Sequence, residues 1–301
     1  MSNKKELKIS NKSDRPDNIV LRDHLLIEKA MEYEKRLPSF MKDYFVYLKS
    51  SVAVSTRAAY LEDIIFFCEY IVNESGLTDK DDIKNLTVED FKNIKSRDVN
   101  LFLGDYCPRY YKEREDHTFV YENNNRALAR KKSSISTLFK FLYRNEQLPT
   151  NITDGFNPIK LPKPQPDAIK RLDIDEVMVM LDAVESGEGL TEKEKVYWEK
   201  TKLRDKAILA LFVTYGLRLN ELRELNISSF NFSRGEFKIY RKRGKEVLMP
   251  INKTCENVVI DYINYERPKS EDLPEDVQDA LFLSLQRKRL TPRAIRQLVK
   301  K

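Results

Sequence analysis

The sequence predicts a mainly α-helical protein of two domains, with a small β-hairpin and sheet in the second. Three observations carry this. Apolar residues recur at helical spacing in both halves, a proline-studded stretch divides them, and two alternating segments flank one strongly basic tip. With 301 residues the chain exceeds what one hydrophobic core ordinarily serves, so two domains are expected.

Residues 1–33 form a polar N-terminal tail with room for a short helix. A helical domain follows over 34–155. Leu37, Phe40, Met41, Tyr44, Phe45 and Leu48 are spaced as one face of a first helix. A second helix starts at a Ser55/Thr56 cap and turns Tyr60, Ile64, Phe67, Cys68 and Ile71 to one side. Thr87 and Asp90 stand as a capping box with Asp in the acid position, opening a helical stretch that Ser96 to Leu103 continues. The last helix of this half, 125–144, places Leu128, Ile135, Leu138, Phe139 and Leu142 on one stripe. Its far side carries Arg126, Arg130, Ser133, Thr137, Lys140 and Arg144 without a carboxylate among them. Such a face suits phosphates and base edges, although a basic helix face is more often merely solvated.

Residues 156–171, with Pro158, Pro162, Pro164 and Pro166, form the linker, and 172–301 the second domain. Asp173 and Glu176 cap its first helix. Ala207 to Val213 is almost wholly apolar, so that helix should be central, ending at Gly216. Segments 236–240 and 246–251 alternate around the tip 241–245. Thr254 is placed to cap the next helix, Leu281 to Leu283 to form a short strand or apolar turn, and Thr291 with Pro292 to start a last helix. Two insertions, 105–123 and 186–200, read as surface loops or extra helix.

Composition excludes several classes. Cys68, Cys107 and Cys255 are too far apart for a disulfide framework or a zinc site, and no apolar signal core or membrane-length run occurs, so a cytoplasmic protein is expected. The balance of 54 Lys and Arg against 48 Asp and Glu, a formal +6, suits a nucleic-acid partner without requiring one.

Chemistry enters after Gly216. Arg218 opens a short helix and Glu221 follows three residues later on the same face, so the carboxylate can aim the guanidinium. Taken alone that is an ordinary surface ion pair; an aimed arginine can also clamp a phosphate through paired N–H donors. The run TYGLRLNELREL over 214–225, a hairpin with Lys242 in its turn, and Met249-Pro250-Ile251 resemble the Xer and phage-integrase branch of the tyrosine recombinases. Asn157-Pro158, Arg204-Asp205, and Leu281 to Leu283 ahead of Leu290-Thr291 extend the likeness to most of 37–301.

The resemblance implies a helical core-binding domain followed by an α+β catalytic domain. It implies site-specific DNA recombination through a 3′-phosphotyrosyl intermediate, on double-stranded DNA, by a homotetramer, with no cofactor and no metal. Arg218 matches the first catalytic arginine, Glu221 its acidic support, and Lys242 the hairpin lysine, 24 residues after Arg218 (242 minus 218); Lys245 is the alternative lysine. DNA-binding candidates are Ser55, Thr56 and Arg57 at a helix start, Arg126, Arg130, Ser133, Thr137 and Lys140, and Arg241 and Arg243 at the tip.

The family completes its site with a His-x-x-Arg motif and a nucleophilic tyrosine, and neither is among these residues. The histidines are His24 and His117, and none of Tyr197, Tyr215, Tyr240, Tyr262 and Tyr265 has the nucleophile's sequence context; Tyr262 and Tyr265 are expected to pack their helix. A last helix still running at Lys301 leads to the expectation of a truncated recombinase that binds DNA without cutting it. The alternatives are a non-cleaving, recombinase-derived accessory or inhibitor protein, and a helical protein-interaction module whose basic faces are only surface.

Overall fold

The computed structural model describes residues 15–114, 117–163, 172–241 and 245–300. They divide into two units, one within Val20–Pro166 and one within Asp167–Lys301 that also takes in residues up to Ile19.

In the first unit, helix α1 (Asp17–Arg36) stands where a polar tail is expected, and at 20 residues it is not short. Its apolar stripe is thin: Ile19 and Ala30 are its only fully buried apolar residues among those described. Tertiary contacts hold it instead, with Glu34 accepting from Nε and Nη2 of Arg57. A 3-10 turn at Ser39–Met41 leads into α2 (Lys42–Ser51), so the α-helix proper starts later than the apolar repeat at Leu37. Helix α3 (Val54–Asn73) has Ala53 as its N-cap rather than Ser55 or Thr56. The Thr87 box is formed, with the Thr87 N–H donating to Asp90 at 2.8 Å, but its helix α4 (Val88–Asn93) stops at Ile94. A separate α5 (Ser96–Leu101) follows, and the chain then turns through a π-helical segment, Phe102–Tyr106. Past the π-helical end at Tyr106, the insertion at 105–123, expected as loop or extra helix, is mostly an antiparallel hairpin of β1 (Arg109–Arg114) and β2 (His117–Glu122), paired Tyr110 to Tyr121. Tyr110 stacks on Tyr121 at 5.2 Å and packs on Phe66 at 4.7 Å, fixing the hairpin's base.

Helix α6 (Asn125–Arg144) buries all five residues of its expected stripe against α2 and α3. At the α3–α6 contact lies Asp63, whose side chain is fully buried. Lys131 Nζ donates to its Oδ1 at 3.1 Å, and Arg130 Nη1 and Ser134 Oγ donate to its Oδ2, the latter at 2.7 Å. A buried carboxylate is tolerated only when so satisfied.

The second unit begins with α7 (Ile174–Ser186), where the Asp173 N–H donates to Glu176. The 186–200 insertion is extra helix, α8 (Glu192–Trp198). Helix α9 (Lys202–Tyr215) supplies the centre of the core through Ala207 to Leu211, while Val213 is exposed, so burial ends two residues sooner than expected. Gly216, at φ 57°, takes the left-handed conformation that ends it. The expected hairpin is β4 (Glu236–Tyr240) with β5 (Glu246–Pro250), and β3 (Phe230–Asn231) adds a third antiparallel strand on the β4 side. Phe237 and Ile239 enter the core as alternation requires. Asn252, not Thr254, caps α11 (Lys253–Tyr265) by accepting from Cys255 N. Leu281 to Leu283 are buried in an irregular segment held by single bridges, Asn226 to Ala280 and Leu283 to Arg289. Thr291 caps α12 (Pro292–Lys300) through the Ala294 N–H. Among the described residues no helix is long and apolar enough to cross a membrane.

Removing Asp63 leaves Lys131 as a buried cation without its carboxylate. Asp63→Ala is therefore expected to lower stability by roughly 3–5 kcal/mol, to be read from urea denaturation; a loss below about 1 kcal/mol would show that the cluster acts as a surface pair.

Candidate active site and nucleic-acid interface

The turn after α9 sets up the site in the second unit. Leu217 is buried, so the next residue, Arg218, points its chain outward as the N-cap of α10 (Leu219–Arg223). The Arg218 N–H donates to Glu221 Oε2 at 2.9 Å, and Arg218 Nη1 donates to Glu221 Oε1 at 2.7 Å. One carboxylate thus caps the helix and grips the guanidinium. The Glu221 side chain is 7% exposed and that of Arg218 66%, an anchored root under an open head. Arg241, at the end of β4, brings its Nε to 4.0 Å from the same Oε1. Its N–H donates to the Lys245 carbonyl at 2.8 Å, closing the foot of the hairpin tip beside Arg218. Two guanidiniums around one carboxylate leave net positive charge at an exposed point, which is the electrostatic requirement for holding a phosphate.

Lys242 and Arg243 lie outside the described residues. Lys245 is described and exposed. The tyrosines of this unit are engaged in different ways. Tyr262 is buried, accepts from the Leu283 N–H, and burial pushes its hydroxyl up to about 12. Tyr215 accepts from Asn252 N at 2.7 Å, and Tyr240 donates to Glu246. Tyr265 does not pack its helix, being 78% exposed.

In the first unit, Arg126, Arg130, Ser133, Thr137 and Lys140 share one side of α6, all exposed or half-buried. Residues 156–163 run beside it, with Lys132 Nζ donating to the Asn157 carbonyl at 2.8 Å and Asn125 to the Lys160 carbonyl at 2.7 Å. Two shallow grooves result. One is lined by Lys132, Ser133, Ser136, Thr137, Lys140 and Ile159, the other by Asn124, Arg126, Lys160 and Lys163. Lys132, Ser136, Lys160 and Lys163 are additions to the expected set; the lysines at 160 and 163 were legible only as linker, because nothing local shows that the linker lies along α6. Ser55 is exposed and Thr56 half-buried at the start of α3. Arg57 is a correction: it is 5% exposed and held by Glu34, so it is structural and leaves the candidate set.

Residues 170–301 match the phage integrase family. The chain is 27% identical over 285 residues to tyrosine recombinase XerS of Streptococcus thermophilus (strain CNRZ 1066), spanning 88% of this chain and 77% of that protein. It is 27% identical over 262 residues to tyrosine recombinase XerC of Syntrophus aciditrophicus (strain SB), spanning 86% and 74%. These matches place residues 170–301 in the phage integrase family, and tyrosine recombinases are similar to most of the chain. Its architecture agrees: a lambda integrase (75-356) dimer bound to a COC′ core site aligns with TM-score 0.52 at 15% identity, covering 87% of this chain and 76% of that one. XerH recombinase bound to palindromic difH substrate, a post-cleavage complex, aligns with TM-score 0.50 at 15% identity, covering 97% and 75%. At such identities the likeness is one of fold, and the expected mainly α fold with a small sheet is the one found.

Arg218→Ala keeps the backbone N–H on Glu221 but takes the guanidinium from its Oε1, so it should lower stability by only about 0.5–1.5 kcal/mol. Glu221→Ala strips the acceptor from the Arg218 N–H and should cost about 1–3 kcal/mol. Paired urea titrations check both, and equal losses would contradict the anchored-root geometry.

Proposed function

We propose that this chain works in site-specific DNA recombination, gripping duplex DNA and the phosphate at the point of strand exchange. The observation that carries the reading is Arg218, pinned by buried Glu221 at the foot of the basic hairpin tip with Arg241 beside it. In the reaction a tyrosine oxygen attacks phosphorus, the bond to the 5′ oxygen breaks, and the 3′ phosphate is left on the tyrosine. Arg218 stabilises charge developing on the phosphoryl oxygens. Lys242 supplies the proton to the departing 5′ oxygen, with Lys245 as the alternative donor. The new bond conserves the energy of the old one, so the exchange needs no nucleotide hydrolysis.

The tyrosine in nucleophile context and the His-x-x-Arg motif are not among these 301 residues. The reading for this chain is therefore DNA binding and phosphate clamping. The α6 face and residues 156–163 supply sequence-independent grip through Arg126, Lys132, Lys140, Lys160 and Lys163, helped by Ser55, Thr56, Ser133 and Thr137. Arg241 and Arg243 serve the same end at the tip. Two duplexes exchanging partners break four strands, each needing one active site, so a homotetramer is the working assembly. We place the protein in the cytoplasm, with its DNA.

Fluorescence anisotropy with a labelled duplex tests this. Log affinity should fall linearly with log salt, and Arg218→Ala and Lys242→Ala should each reduce that slope by about 0.9, one phosphate apiece. Salt-independent binding would overturn the DNA reading. A suicide duplex incubated with the 301-residue chain should yield no covalent adduct; an adduct would assign the nucleophile to one of its own tyrosines.

A further inference from the structure

One member of the α6 stripe is held unlike the others. Arg130 Nη1 donates to Asp63 Oδ2 and, at 3.2 Å, to the carbonyl of Ala59 on α3. Asp63 is itself held from the other side by Lys131 and Ser134. The Arg130 side chain nevertheless remains 44% exposed, and Nε and Nη2 donate to nothing among the described residues. The guanidinium is thus fixed at one nitrogen, with its Nε/Nη2 edge, a two-donor fork, left open. Ala59 lies one turn after Ser55 on α3, which sets this fork where α3 and α6 meet, along the stripe that holds Arg126, Ser133, Thr137 and Lys140.

Resting on the DNA reading of α6, we infer that Arg130 is the specificity-determining residue of this face, its fork reading the O6 and N7 acceptors of a guanine in the major groove. Asp63 is its positioning residue. A backbone phosphate can be met without such a mount, since a lysine follows it as a point charge. Lys131 shares the Asp63 carboxylate, so the mount fixes the direction of Arg130 and leaves its fork open and positively charged. Ordering the side chain before binding removes an entropy cost that falls on every sequence alike, so the fork's hydrogen bonds are available for discrimination.

The test is binding-site selection from a pool of random duplexes, followed by affinity and salt-slope measurements on the selected duplex and on a scrambled one. Asp63 is left intact because the fold depends on it. For Arg130→Ala the preference for G·C at one position should disappear and affinity for the selected duplex fall about 5- to 150-fold, the range of one bidentate base contact. Affinity for the scrambled duplex should hardly change. Arg130→Lys keeps the charge without the fork and should lose selectivity in the same way, giving a second variant should the alanine disturb folding. Lys140→Ala should weaken both duplexes equally and lower the slope by about 0.9. Equal weakening of both duplexes by Arg130→Ala would make Arg130 a phosphate contact and overturn the inference. If neither Arg130→Ala nor Lys140→Ala had any effect, the DNA reading of α6 would itself fail.

Discussion

The buried carboxylate of Glu221 is the constraint on which the second unit's site depends. It accepts from the N–H of Arg218, the N-cap of α10, grips the Arg218 guanidinium and lies beside Arg241 at the end of β4. A carboxylate is costly to bury, and here each oxygen has a donor. Helix start, arginine direction and hairpin foot thereby share one acceptor. An arginine held in this way meets an incoming phosphate already ordered, which is where preorganised electrostatics gains over a flexible surface cation.

The first unit uses the same device for a different purpose. Asp63 sits between α3 and α6 and binds Arg130, Lys131 and Ser134. Lys131 lies over the Phe66 ring at 4.6 Å, so its stem and charge both belong to the core, while Arg130 reaches the surface from the same anchor. In both units a buried acid turns a cation from a mobile charge into a directed one. Lys132 is held by the Phe156 and Asn157 carbonyls, while Lys140, Lys160 and Lys163 have no such mount among the described residues and offer charge rather than geometry.

Where sequence reasoning erred, the cause is contact between distant residues. Helix α1 is polar around most of its circumference, and the pairing of Glu34 with Arg57 lies 23 residues away in the chain. The same pairing removes Arg57 from the surface, although its neighbours Ser55 and Thr56 stay accessible. The β1–β2 hairpin carries few β-branched residues and many charges, so its alternation is faint; the packing of Tyr110 on Phe66 and its stacking on Tyr121 hold it in place. Strand β3, two residues long, is too short to show any period.

Short-range patterns were enough for much of the molecule. The apolar stripe of α6, the Thr87 and Thr291 caps, the stop at Gly216, the β4–β5 pair and the Arg218–Glu221 spacing all depend on residues within a few positions of one another, which is the range over which helix and strand geometry repeat. The resemblance to the phage integrase family followed from the same local runs. Folding in three dimensions settled which charged residues are free and which are committed: Arg57 to Glu34, Arg130 to Asp63, Arg241 toward Glu221, and residues 156–163 to the side of α6. Those pairings join positions far apart in the chain, and burial at such a meeting sets whether a cation is structural, aimed or merely solvated. No local periodicity carries that information.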